Sequence, residues 1–364
     1  MDNHASTSLA SSGDRPEDSF QAAFNGLTVS DHPPPPLKKA RHAYEDLGNR
    51  LVQAALNHDD YEVDKVIKQI EFQAASDGLT VSEFIEHASL GDFLGKAFEV
   101  AATRGHNHVL VRLLRHDDIR AGIRDESLGI GLEGAVSNKH HAPVYHILDH
   151  PDTRNRIPFK ALDNALVTAS SQKPSFWKTV VVKQLLYHDD TRSRYSSKAA
   201  GDALYSAALN GDEYTMVELL RHEDMRRRFP DKAVGYGLSG AASRGHTGVV
   251  ARLLYHDDML PPREAVGEAL TMAAYYGHES TMVELLRNSY TRSQYSPEAL
   301  GKGLVVAASR HASVVATFAA YPDIIARIPD YYLLQARNLA RHESVVAKLE
   351  MAILIKNMAG KVHL

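Results

Sequence analysis

The chain has no cysteine and a single tryptophan among its 364 residues. Without cysteine there are no disulfides, no thiolate metal sites and no cysteine nucleophile. Long apolar runs are also missing: no stretch of 18 apolar residues occurs, so no membrane insertion is expected. Met1-Asp2-Asn3-His4 carries neither the basic nor the apolar region of a secretory signal. A cytoplasmic location is therefore expected, with the nucleus as the alternative on the weak basic run Lys38-Lys39-Ala40-Arg41. Neither sign of charge dominates, since 41 Lys and Arg stand against 45 Asp and Glu for a net charge of −4. The two signs are intermixed, so no nucleic-acid partner is expected.

What the chain does have is a repeat. Leu113-Leu114-Arg115-His116-Asp117-Asp118 returns as Leu185-Leu186-Tyr187-His188-Asp189-Asp190, as Leu219-Leu220-Arg221-His222-Glu223-Asp224 and as Leu253-Leu254-Tyr255-His256-Asp257-Asp258. The histidine register advances through 116, 150, 188, 222 and 256 to degenerate copies at Asn288 and Tyr321, with spacings of 34, 38, 34, 34, 32 and 33. One unit of this length cannot bury its apolar face alone, so the period predicts stacked units sharing one core.

Within each unit, Ser196, Ser296, Pro158 or Pro230 marks the start of a first helix of about twelve residues. Gly105, Gly211, Gly245 or Gly277 ends it, where a left-handed residue is favoured. A second helix of about ten residues then runs to the histidine register. Nothing alternates with the period of a strand, so the predicted fold class is all-α, a helical-repeat solenoid of helix-turn-helix units. Gly129, Gly201, Gly235, Gly267 and Gly301 recur in mid-helix. Each costs the helix roughly 0.5–1 kcal/mol relative to alanine, which predicts a compensating close approach of neighbouring first helices.

Four segments are expected: a mostly disordered Pro- and Ser-rich stretch over 1–43, a divergent helical cap over 44–94, repeats over 95–350, and a cap or tail over 351–364. Phe20–Ser30 and Phe72–Ser82 are identical at nine of eleven positions and read as a local duplication or as two copies of a linear docking motif. In the second copy Gly78 is expected to end one helix, and Thr80 with Glu83 to form the capping box of the next. Pro33 to Pro36 reads as a spacer or as a polyproline ligand.

The chemistry-bearing patterns have structural readings. His146 and His150 lie four apart on one helical face, yet His150 is this unit's copy of the repeating histidine, expected to meet the end of a helix partly protonated. No zinc-protease spacing, phosphate loop or nucleophile elbow is complete, so no metal, cofactor, small-molecule substrate or catalytic activity is expected. Arg154, Arg192, Arg226 and Arg292 follow the histidine register and travel with acids. They read as an inter-unit ion-pair ladder, or as a basic stripe for an acidic partner. One first-helix position changes chemistry from copy to copy: Asn164, Asp202, Tyr236, Glu268 and Lys302. That variation predicts a solvent-facing row that contacts a protein partner, with the four arginines as a second candidate surface.

Ala101-Ala102-Thr103-Arg104-Gly105-His106 and Ala241-Ala242-Ser243-Arg244-Gly245-His246, each followed by β-branched residues and paired leucines, resemble the ankyrin repeat. The resemblance implies a scaffold that binds other proteins. No copy has the family's Thr-Pro-Leu-His opening, and His-Asp-Asp-x-Arg-x-Arg replaces its usual finger, which leaves the β-hairpin open. A tetratricopeptide array accounts for Leu300-Gly301 but not for the Gly-His turn. The expected function is a non-catalytic protein-interaction scaffold. Alternatives are an effector of a pathogen or symbiont that docks host proteins through the same array, and an enzyme whose site has no recognisable motif.

Overall fold

Ser196 and Ser296 start helices as their register requires: each side-chain oxygen accepts a backbone N–H three residues on, from Ala199 at 3.0 Å and Ala299 at 3.1 Å. The computed structural model describes residues 37–362 apart from 257 and 258, and every regular element among them is a helix. The chain divides into two units, Met1–Ala43 and Tyr44–Leu364. The expectations for 1–36, including the first copy of the duplication and the four prolines, fall outside the described residues. Disorder was expected through residue 43, but a helix runs over Leu37–Asn57. It begins directly after Pro36, and Leu37-Lys38-Lys39-Ala40-Arg41 is a run of good helix formers.

The cap region behaves as its residues indicate. Leu37–Asn57 and Asp60–Ser76 are separated at His58, which takes a left-handed φ of 58°. Gly78 has φ 70°, and Thr80 and Glu83 form the reciprocal capping box of Val81–His87.

From residue 91 the architecture repeats. The first helices are Gly91–Arg104, Asp125–Ser137, Phe159–Ser171, Ser197–Leu209, Asp231–Arg244, Arg263–Tyr276, Pro297–Arg310 and Asp330–Leu339. Successive first helices pack on one another, and second helices such as Asn107–Arg115 and Glu213–Arg221 form a parallel row. The paired alanines and paired leucines lie between the two rows, fully or almost fully buried. A Cβ at Gly129, Gly201, Gly235 or Gly267 would lie 2.8–2.9 Å from the Cβ of Ala161, Ala233, Ala265 or Ala299 in the next unit. The glycines thus permit the close approach that their cost in helix stability implied.

Two features differ from a plain helix-turn-helix unit. The segment after the histidine register is a short third helix in six units, for example Asp117–Gly122, Pro151–Arg156 and Pro322–Arg327. In three of them two acids sit in the first turn and the arginine in the last, where each suits the helix dipole, and in two others a proline and one acid open the helix. Gly105, Gly211, Gly245 and Gly277 have φ between 66° and 79°, and over each lies an imidazole of the next unit, His140, His246, His278 or His311. His246, His278 and His311 donate Nε2–H to the carbonyls of Leu209, Ser243 and Tyr275 at 3.0–3.2 Å. The Gly-His turn is therefore an inter-unit clasp.

The last first helix departs from the others at two registers. Leu132, Leu166, Leu204, Leu238, Leu270 and Leu304 fill one core register and are fully buried, but that register holds Arg337 in the last first helix. Arg337 pairs with Glu350 at 2.6 Å, and Leu334, 51% exposed, takes the packing-glycine register. The tail expected from 351 is continuous with this last unit, because one helix runs over Glu343–Val362.

Candidate functional site: the exposed face of the first helices

Helical periodicity places every third or fourth residue of a first helix on one face. On the face opposite the core, the variable row is exposed at Asn164, Tyr236, Glu268 and Lys302 and half-buried at Asp202. Three of the five line one groove of about 810 Å³ across helices Ser197–Leu209, Asp231–Arg244 and Arg263–Tyr276: Asp202, Tyr236 and Glu268. Glu268 is shared with a smaller neighbouring groove of about 570 Å³, which Lys302 lines. Asn164 lies outside both grooves and donates to Glu133 at 3.2 Å.

Residues outside the variable row complete the larger groove. Tyr205 and Tyr276 join Tyr236 on its rim, being 39%, 54% and 60% exposed, while Gly201 and Ser239 between them are buried. The groove is thus a set of phenol walls over a small-residue base. Lys198 is tied to Asp202 at 2.8 Å, and Ser239 donates to Glu268 at 3.3 Å. Helical spacing would have found the missed residues: Tyr205 is three residues after Asp202, and Met272 and Tyr276 are four and eight after Glu268.

The arginine surface is engaged internally. Arg154 and Arg192 are 8% and 7% exposed, and each spans two units. Their Nε–H groups donate to Asp190 and Asp224 of the following unit at 2.8 and 3.2 Å, and Nη1 caps the Leu148 or Leu186 carbonyl of the same unit at 2.7 Å. Arg120 makes the same pair with Asp152 and the same cap on Leu114. Arg226 caps Leu220 at 2.6 Å, and Arg292 stands 3.9 Å from Asp323 and 6.0 Å from the Tyr321 ring centre. The second arginine of the motif reaches backward: Arg194 donates to the carbonyls of Arg154 and Ile157, and Arg156 to those of Arg120 and Ile123. This is the ion-pair ladder reading of the motif.

Two of the repeating histidines, His188 and His222, depart from the partly protonated state expected of the register. His150, His188 and His222 sit between the second and third helices, at the start of the latter. Burial lowers the pKa of His188 and His222, and Arg154 and Arg192 respectively add to the effect. A neutral imidazole is what a helix start beside an arginine favours. Burial likewise lowers His146. Among the described residues no three His, Asp or Glu side chains converge where they could hold a metal ion, and no helix is long and apolar enough to cross a membrane.

The longest spacing in the repeat has its own site. Asp212 stands where the next unit has His246, directly after its turn glycine, and it pairs with Lys178 at 2.8 Å; the two side chains are 2% and 0% exposed. Lys178 also donates to the carbonyls of Ser170 and Gln172 at 2.7 and 2.8 Å. Burial opposes the Asp212 charge, yet the Lys178 ammonium and the Thr215 donors hold its carboxyl below the usual range.

No protein-family model matches the chain, and a search of curated proteins finds no match either.

Proposed function

We propose that the chain is a non-catalytic docking scaffold, an ankyrin-like helical-repeat solenoid whose first-helix face binds a protein partner. The observation that carries this reading is the groove around Tyr236, where three exposed tyrosines from three successive helices surround buried small residues. Amphipathic aromatic side chains of this kind supply contact area at low entropic cost and dominate recognition surfaces. The opposite candidate, the arginine register, has its best-buried members already engaged across units, which favours the first-helix face.

The experiment is a calorimetric titration of a partner isolated on the full chain, repeated with Tyr236→Ala combined with Glu268→Lys. The reading expects a loss of about 1–2 kcal/mol in binding, with the melting temperature nearly unchanged because both side chains are exposed and the bond lost from Ser239 is a long one of 3.3 Å. Unchanged affinity in the double variant would remove the groove from recognition.

A further inference from the structure

We propose that the groove around Tyr236 takes an extended, uncharged, proline-rich segment of the partner in the polyproline conformation. The proposal rests on the docking reading above and adds the class of occupant. Three relationships select it over a helix or an acidic peptide.

The first is hydrogen bonding. The hydroxyls of Tyr205, Tyr236 and Tyr276 make no hydrogen bond among the described residues. A polyproline segment has no internal hydrogen bonds, so all of its carbonyls remain free to accept from such phenols. A helix would arrive with its central carbonyls already engaged.

The second is charge. Lys198 and Lys232 along the groove are balanced by Asp202 and Glu268, and Lys198 is bonded to Asp202 at 2.8 Å. The lining therefore complements an uncharged ligand. A phosphorylated or acidic segment would need an unbalanced cluster of cations, and would meet the Glu268 carboxylate.

The third is spacing. Packed helices stand about 8–10 Å apart, and one three-residue polyproline turn advances about 9 Å. Prolines three residues apart would meet successive first helices in the same way, with their rings between phenol walls and over Gly201 and Ser239, which bring no bulk. Proline-rich ligands are bound by aromatic-lined grooves for this reason.

The test is selection of a random dodecapeptide library displayed on phage against the immobilised full-length chain, followed by fluorescence-anisotropy titration of the enriched peptides. The expected result is enrichment of prolines at three-residue spacing. Those peptides should bind at least tenfold more weakly to Tyr236→Ala and to Tyr205→Ala, while Tyr187→Ala, on a second helix, leaves affinity within twofold. Tyr236→Phe, which keeps the ring and removes only the donor, should lie between wild type and Tyr236→Ala. Enrichment of amphipathic helical or acidic peptides that depend on Tyr236 would overturn the occupant while leaving the docking reading in place. Peptides indifferent to Tyr236→Ala would overturn both, and failure to enrich any peptide would overturn the occupant.

Discussion

Lys178 and Asp212 form an ion pair of 2.8 Å closed off from solvent, at the one place where the register lengthens to 38 residues. The loop Gln172–Ser175 brings Lys178 to the position where other junctions are clasped by a Gly-His turn, and Asp212 has replaced the histidine. Removing one member of such a pair strands the other charge in a low-dielectric site. Lys178→Met should therefore destabilise the protein by about 3–5 kcal/mol, read from urea denaturation. A loss within the range of a surface substitution would show that water reaches the pair.

Gly235→Ala tests the close packing of first helices. Alanine is the better helix former by about 1 kcal/mol, so an open site would gain stability. Here the added Cβ would lie 2.8 Å from that of Ala265, and strain of about 1–3 kcal/mol should cancel or exceed the propensity gain. A raised melting temperature in Gly235→Ala would contradict the packing described.

The histidines give a pH dependence whose sign is fixed by their surroundings. Burial holds His146, His188, His222 and His246 below the ordinary value of 6.5, while the unfolded chain protonates them near it. Their contribution to stability is present above that value and is lost as the pH falls through the lower folded values. Asp152 and Asp190, held low against their own burial by Arg120 and Arg154, add a further loss at more acid pH. Thermal melts should show a falling midpoint from pH 7.5 to pH 5.5, and His222→Gln should flatten that slope. A midpoint that is constant or rises over this interval would contradict the assignment of neutral imidazoles.

Much of this was readable from residues alone. Ser196, Gly78, Gly105 and the Thr80–Glu83 box act through backbone rules that need only local sequence, and they stand where those rules put them. Gly201 and Gly235 announced a close approach by their cost, although the alanines they face, 32 and 30 residues on, could not be named from a single helix. Tyr205 and Tyr276 do not recur from unit to unit, so the repeat register does not disclose them, and only their spacing of three from Asp202 and eight from Glu268 places them on the same face. The third helix was missed for a different reason: runs of four to six residues lie below the length at which periodicity is informative. The Lys178–Asp212 pair depends on an insertion and a substitution meeting across units, which no pattern within one unit discloses.

Recognition by the first-helix face can be tested by photo-crosslinking, with p-benzoylphenylalanine installed at position 236 or at position 187 of the full-length chain. Both native side chains are exposed tyrosines, at 60% and 68%, but Tyr236 lies on a first helix and Tyr187 at the end of a second. The account predicts that the bound partner crosslinks from position 236 and not from position 187. Crosslinking from position 187 alone would place recognition on the second helices and contradict it.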